Sequence, residues 1–232
     1  MRLSATVKNK CCLKGMKKMQ SESIDLIVTD PPYLIDYKSG GRKDSFRKIE
    51  NDKDGHDLIK KFIAEAYRVL KNDSAIYMFC SWHHIDFFKS EFEKHFKLKN
   101  IIVWNKNNHG SGDLEGAYAP KHEFVLFGHK GRALFKSERI PDVINCQKVP
   151  GEKMTHPTEK PIHLLEVFIK NNSNENDIVL DCFSGTGSTG IAAINLNRNF
   201  IGFEIDDEYC VIANKRINAA LSNTQLRLFQ ER

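Results

Sequence analysis

Seven short strand-like runs, at residues 3–8, 24–29, 75–80, 100–104, 123–127, 178–180 and 200–203, alternate with segments whose apolar residues recur at helical spacing. Several runs are apolar throughout, the pattern of strands covered on both faces. One helical stripe comprises Leu58, Ile59, Phe62, Ile63, Ala66, Val69 and Leu70, and another Ile85, Phe88, Phe92 and Phe96. Further helices are expected around Ile191 to Ile194 and after residues 160 and 207, with Pro161 in an opening turn. Strands alternating with helices imply an α/β fold with a mostly parallel sheet and helices on both faces. With 232 residues, 41% of them hydrophobic, the chain can bury one large core, so residues 1–232 are read as a single domain. Three stretches resist the alternation: about 34–56, 105–121 and 129–157, rich in Gly, Lys, Asn and Asp. Loops this long in a compact domain are functional or disordered, and they are read as insertions.

Composition excludes more than it assigns. A formal charge of +5 permits a nucleic-acid partner without requiring one. The six cysteines form no Cys-x-x-Cys pair, which argues against zinc and a disulfide framework and for reduced thiols. No run approaches the ~18 apolar residues of a membrane span, and the N-terminus has no apolar h-region. A cytoplasmic protein with no metal site is expected, with His83 and His84 structural or capping.

The run at 24–29 ends in Asp30-Pro31-Pro32-Tyr33. Asp30 can accept a hydrogen bond from an exocyclic amine at the carboxyl end of a strand, where open α/β sheets place their ligands. Pro31 offers a carbonyl and no N–H. Pro32 restricts Pro31, and Pro31 pushes Asp30 away from helical angles, so carboxylate and carbonyl project from a stiff turn. Tyr33 supplies a face on which a base can stack. An ordinary strand-ending turn is the competing reading.

A second site comes late in the chain. The strand at 178–180 runs through Asp181, Cys182 and Phe183 into Ser184-Gly185-Thr186-Gly187-Ser188-Thr189-Gly190 and a helix. Glycines let a ligand approach the backbone, and the first N–H groups of the helix can meet an anionic group. The next strand ends in Glu204, placed to accept hydrogen bonds from two ribose hydroxyls. These features indicate a nucleoside-containing cofactor. Gly185, Gly187 and Gly190 also satisfy G-x-G-x-x-G, a weak signal for a dinucleotide. Asp181 would be awkward beside a pyrophosphate, and about 40 residues after the motif are too few for a second mononucleotide half.

The two sites in this order resemble the permuted (beta) group of S-adenosylmethionine-dependent DNA amino-methyltransferases. The resemblance spans nearly the whole chain. It also includes Trp104-Asn105-Lys106, His156-Pro157-Thr158-Glu159-Lys160-Pro161, and Phe200-Ile201-Gly202-Phe203-Glu204 followed by Tyr209 and Arg216. It implies a Rossmann-like sheet in circularly permuted order, with 178–180 as first strand, 200–203 second, 3–8 third and 24–29 fourth. Asp30 and the Pro31 carbonyl would hold the target amine, stiffened by Pro32, and Tyr33 would stack on the base. Phe183, Ser184, Gly185, Thr186 and Gly187 would form the S-adenosylmethionine loop, beside Asp30. Asp181 would lie near the methionine amino group and Glu204 on the ribose. His156 joins the cofactor set, with Thr158 and Lys160 reaching the methionine carboxylate. A loop ending in a helix cap is the alternative for His156 to Thr158. Cys11 stands where the family carries an acidic residue near the adenine of the cofactor, and Cys182 replaces a proline.

The resemblance further implies DNA as partner, a homodimer, and a cognate restriction endonuclease. Lys38, Arg42, Lys43, Arg47 and Lys48, interrupted by Gly40 and Gly41, resemble a mobile basic loop that closes on phosphates. A solvated loop is the competing reading. Lys106, His109 and Arg132 are individual candidates for nucleic-acid contact, and Trp104 is either an apolar contact or core. The activity implied is methylation of adenine N6, with cytosine N4 and a catalytically weak DNA-binding protein as alternatives.

Overall fold

The computed structural model describes residues 3–34, 55–108, 114–149 and 159–230, with side chains as far as 224. The chain opens with β1 (Ala5–Asn9), the short α1 (Cys12–Met16) and β2 (Ile24–Thr29). Next, α2 (Gly55–Val69) passes directly into β3 (Leu70–Cys80), and a 3-10 turn (Trp82–His84) leads to α3 (Ile85–Glu93) and β4 (Lys97–Asn105). Then come β5 (His122–Lys130), β6 (Val143–Asn145), α4 (Ile162–Asn172) and β7 (Ile178–Asp181). The chain continues through α5 (Ser188–Asn195), β8 (Asn199–Glu204) and α6 (Asp207–Gln230).

The described strands form one sheet in the order β1-β8-β7-β2-β3-β5-β4-β6. The permuted order expected from sequence is the order observed: third, second, first, then fourth. Only β5 is antiparallel, to both β3 and β4. The strand order therefore reverses between β7 and β2, the position at which open α/β sheets leave a crevice for ligands.

Alternation along the strands feeds two cores. Leu26, Val28, Tyr77 and Phe79 face Leu164, Phe168, Ala193 and Ile217 of α4, α5 and α6. Ile27, Ile76, Met78 and Cys80 face Ile59, Phe62, Phe88 and Phe92 of α2 and α3. Each fully buried Leu, Ile or Phe is worth about 1.5–3 kcal/mol, which fixes the strand register because a one-residue slip would exchange the two faces. Tyr77 stacks between Phe127 and Phe168, both at 4.6 Å, and donates its hydroxyl to Asn172 Oδ1 at 2.6 Å.

Four elements depart from the sequence reading. Helix α1 has five residues, too few to show a period, and it docks through Gly15 against the Phe203 ring. Leu70, read as the end of a helix, begins β3 and pairs with Ile24. β5 continues to Lys130, inside a stretch read as irregular, because the lengthened β3 offers Ser74 as partner. β6 lies in the same stretch, three residues long with an exposed Val143, and carries no alternation to read.

Gly128 on β5 leaves no room for a side chain. A Cβ there would lie 2.4 Å from the Phe92 ring and 3.3 Å from the Lys97 carbonyl. Gly128→Ala is therefore expected to lower stability by about 1–3 kcal/mol, read as a reduced urea midpoint at constant slope. An unchanged midpoint would show that this face is loosely packed.

Candidate active site

β2 and β7 pair in parallel, Leu26 opposite Val179 and Ile27 opposite Leu180, so the turns that follow both strands start beside each other. Buried Thr29 fastens the two. Its hydroxyl donates to Asp181 Oδ1 at 2.8 Å and accepts from the Cys182 N–H at 3.1 Å.

On the β2 side, Asp30 is 21% exposed and both of its oxygens are engaged. Lys160 Nζ lies 2.6 Å from Oδ2, and the Tyr33 hydroxyl donates to Oδ1 at 2.7 Å. Lys160 is only 7% exposed and also stands 3.2 Å from Glu123 Oε2, with its charge 5.4 Å above the Tyr33 ring and 5.0 Å above Phe79. Glu123 Oε2 is 3.0 Å from the Tyr33 hydroxyl, and Oε1 is 2.5 Å from Lys106 Nζ. Two carboxylates and two ammoniums thus form a neutral chain, Lys106–Glu123–Lys160–Asp30, with the Tyr33 phenol between the two carboxylates.

Burial pushes the Asp30 carboxyl above its usual range; Lys160 pulls it back and Glu123 pushes it up again. Burial acts on Glu123 in the same sense, but Lys160 and Lys106 together bring it down to about 2. Burial would lower the Lys160 ammonium, yet Asp30 and Glu123 hold it above the ordinary lysine value. Burial, then Asp30 and Glu123, raise the Tyr33 hydroxyl well above its usual value, so it remains a donor. Cys80, pushed up to about 12 chiefly by burial, is no nucleophile.

On the β7 side the loop turns on glycines. Gly185 and Gly187 have φ of +50° and +84°, which side-chain-bearing residues rarely adopt, and the space above Gly185 is open for a ligand. Gly187 caps α5. Gly190 packs on Ile217 and Phe200, so its lack of a side chain serves helix packing rather than a dinucleotide fingerprint. Glu204 accepts from Gly185 N at 2.7 Å and from Asp206 N at 2.9 Å, leaving each carboxylate oxygen further acceptor capacity. Phe183 meets Phe62 edge to face at 5.1 Å. Ser184 donates to the Asp181 carbonyl at 3.2 Å. Thr186 is held by Arg216, which also bonds Glu159 at 2.6 Å.

The structure places the other expected residues as follows. Asp181, expected beside a cationic amino group, is 3% exposed. It lies beneath the loop, its carboxylate taken by Thr29, by Phe183 N at 3.1 Å and by Thr189 Oγ1 at 2.7 Å. Lys160, expected on a carboxylate of the cofactor, bonds Asp30 and Glu123. Lys106, expected on DNA, is neutralised by Glu123. Arg132 lies beyond Lys130, at the opposite end of the sheet from Asp30, because β5 runs antiparallel. Trp104 is core, 2% exposed, and donates Nε1–H to the Cys146 carbonyl at 2.7 Å. Cys11 follows β1 at the same rim as Glu204, where Lys10 N donates to the Glu204 carbonyl. Ser81 caps the 3-10 turn by accepting from the His83 N–H, and its hydroxyl meets His83 Nδ1 at 2.8 Å, so His83 has the structural role, not the capping one. Lys38, Arg42, Lys43, Arg47, Lys48, His109, His156 and Thr158 lie outside the described residues. Among the described residues no cluster of three His, Cys, Asp or Glu could hold a metal.

Sequence reasoning missed Glu123, Thr29 and Glu159 as site residues. The one signal for Glu123 was a charged residue at the head of an apolar strand.

Burial raises the Asp181 carboxyl to about 6, against three donors that lower it. Between the unfolded value near 4 and this value the folded protein holds a proton that the unfolded chain has released. Its contribution to stability is therefore present at low pH and is lost as pH rises through about 6. Relative to Asp181→Asn, the wild type should lose stability as pH rises from about 4 to about 6 in urea titrations, and little more above that. A difference independent of pH would contradict the assignment.

Matches to known proteins follow this arrangement. The family model described as DNA methylase covers residues 24–215. The type II methyltransferase M2.DpnII of Streptococcus pneumoniae is 32% identical over 232 aligned residues, covering 89% of this chain and 87% of that protein. The DNA adenine methyltransferase YhdJ of Escherichia coli K12 is also 32% identical, covering 90% and 81%. Among solved structures, the M1.HpyAVI–SAM complex superposes with a TM-score of 0.69 at 28% identity, over 92% of this chain and 99% of that one. The chain belongs to the DNA methylase family, the S-adenosylmethionine-dependent amino-methyltransferases that its sequence resembles.

Proposed function

We propose that the protein methylates the exocyclic N6 amine of an adenine flipped out of DNA, at a specific sequence. The observation that carries this reading is the pairing of β2 with β7, which brings the Asp30 turn and the Gly185–Gly187 loop to one rim where the strand order reverses. The adenine assignment leans on likeness to YhdJ, named a DNA adenine methyltransferase.

The loop fits S-adenosylmethionine: open space over Gly185, spare acceptor capacity on Glu204 for ribose hydroxyls, and Phe183 on the rim. When bound, that cofactor supplies an electrophilic methyl group on a sulfonium. Asp181 then acts as the brace of the loop, and Cys11 borders the cofactor from the end of β1. The adenine N6 lone pair is delocalised into the ring. Hydrogen bonds from its two protons to Asp30 and to the Pro31 carbonyl favour a tetrahedral nitrogen and localise the pair, and catalysis becomes mainly positioning. Asp30 stabilises the positive charge as it develops on nitrogen. The target is unreachable inside a duplex, so the base leaves the stack and lies against Tyr33. The basic segment containing Lys38, Arg42, Lys43, Arg47 and Lys48, with His109, contacts the nucleic acid; His156 and Thr158 serve the cofactor. No described helix is long and apolar enough to cross a membrane. In this reading the enzyme works on DNA in the cytoplasm. A second copy of the chain and a cognate endonuclease are the protein partners in this reading.

Incubation with DNA and methyl-labelled cofactor, followed by digestion to nucleosides, should give labelled N6-methyldeoxyadenosine. Label in cytosine alone would move the assignment to cytosine N4, and no label would leave a DNA-binding protein. Asp30→Ala should slow transfer by about 10²–10³-fold, the scale for removing one preorganised charge-stabilising group, while stabilisation by the cofactor persists.

A further inference from the structure

The antiparallel course of β5 brings its first residues to the rim where β2, β3 and β7 end. Glu123 thereby contacts both groups that hold Asp30. Its Oε2 is 3.0 Å from the Tyr33 hydroxyl and 3.2 Å from Lys160 Nζ, while those two donors sit 2.7 and 2.6 Å from Asp30. The phenol has one proton and faces two carboxylates, so it donates to one at a time.

This arrangement raises a problem that the catalytic turn alone does not solve. The target amine gains positive charge as it is methylated, yet an ammonium is already bonded to the carboxylate that should stabilise it. With Lys160 in place and no second carboxylate, Asp30, Lys160 and Lys106 would carry a net positive charge, adverse to a sulfonium and to a forming aminium. Glu123 cancels that excess. It also offers Lys160 an alternative acceptor within a fraction of an ångström of full bonding distance.

We propose that Glu123 is a positioning residue of methyl transfer: it takes over the Lys160 ammonium when the target amine reaches Asp30, and it holds the Tyr33 hydroxyl while Asp30 Oδ2 turns to the amine. Lys106, bonded to the other oxygen, fixes Glu123 in place. The inference rests on the amino-methyltransferase reading above and names how its catalytic carboxylate is made available. The charged and titratable groups facing Asp30 are Lys160 ahead of α4, Tyr33 on its own turn, Glu123 on β5, Cys80 on β3 and Asp181 on β7.

The test is Glu123→Gln in the full-length protein, with cofactor affinity and thermal midpoint measured alongside transfer. The kcat should fall roughly 100-fold, the scale of a misplaced reacting group, with KM for the cofactor within about twofold of wild type. The acid limb of the pH profile should move to lower pH, because Asp30 loses a neighbouring negative charge and is gripped harder by Lys160. Glu123→Asp should recover part of the rate. Adding Lys160→Met to Glu123→Gln should cost less than Lys160→Met costs alone, since Glu123 acts through that lysine. Unchanged kcat, an unmoved acid limb, or additive losses in the double variant would each overturn the proposal. A wild type that transfers no methyl group would instead overturn the functional reading beneath it.

Discussion

The site depends on one buried hydroxyl. Thr29 and Asp181 are 152 positions apart, yet their side chains meet at 2.8 Å, and the same Thr29 oxygen receives the Cys182 N–H. A net hydrogen bond of this kind contributes only about 1 kcal/mol, so its importance is geometric. It ties the first turn of the catalytic segment to the first turn of the cofactor loop at the place where the sheet changes direction. The loop beyond is then braced from below, and Arg216 and Glu159 bind it to α6 and to the segment leading into α4.

What could be read from sequence was whatever is local. The apolar run Leu26 to Val28, the stiff Asp30-Pro31-Pro32-Tyr33 turn and the glycines before α5 declare themselves within a few residues, because their causes lie in neighbouring dihedrals and burial. The permuted strand order was legible through the resemblance, and the sheet follows it. Partners across the sheet were not legible. That Lys160 bonds Asp30 depends on where α4 begins beside β2, and that Lys106 is spent on Glu123 and Arg132 falls at the far end of the sheet follows from the antiparallel β5, a direction that strand composition does not encode. Asp181 was identified as a cofactor-loop residue but given an outward role; its burial depends on Thr29 and Thr189 arriving from other elements. Helix α1 and strand β6 were too short for any period to show.

The electrostatics of the rim divide the acidic groups by task. Glu123, between two ammoniums, is locked in the charged form, whereas burial leaves Asp30 and Asp181 higher than ordinary carboxyls. Groups of one chemical type are thus held at different protonation equilibria within one crevice, and the difference traces to Glu123 meeting two lysines, Lys160 and Lys106, where Asp30 meets one.

The connection between β4 and β5 closes at a neck where Lys106 N donates to the Lys121 carbonyl at 2.9 Å, one pair before Asn105 meets His122. Below that neck the ladder sets the position of Glu123; above it, the described residues of the connection belong to no strand. Loop-closure entropy rises by only about 0.6 kcal/mol for each doubling of length. Segments of different size and sequence can therefore be exchanged between residues 106 and 121 while the catalytic rim keeps its geometry, so that the surface met by a substrate can diversify independently of the chemistry.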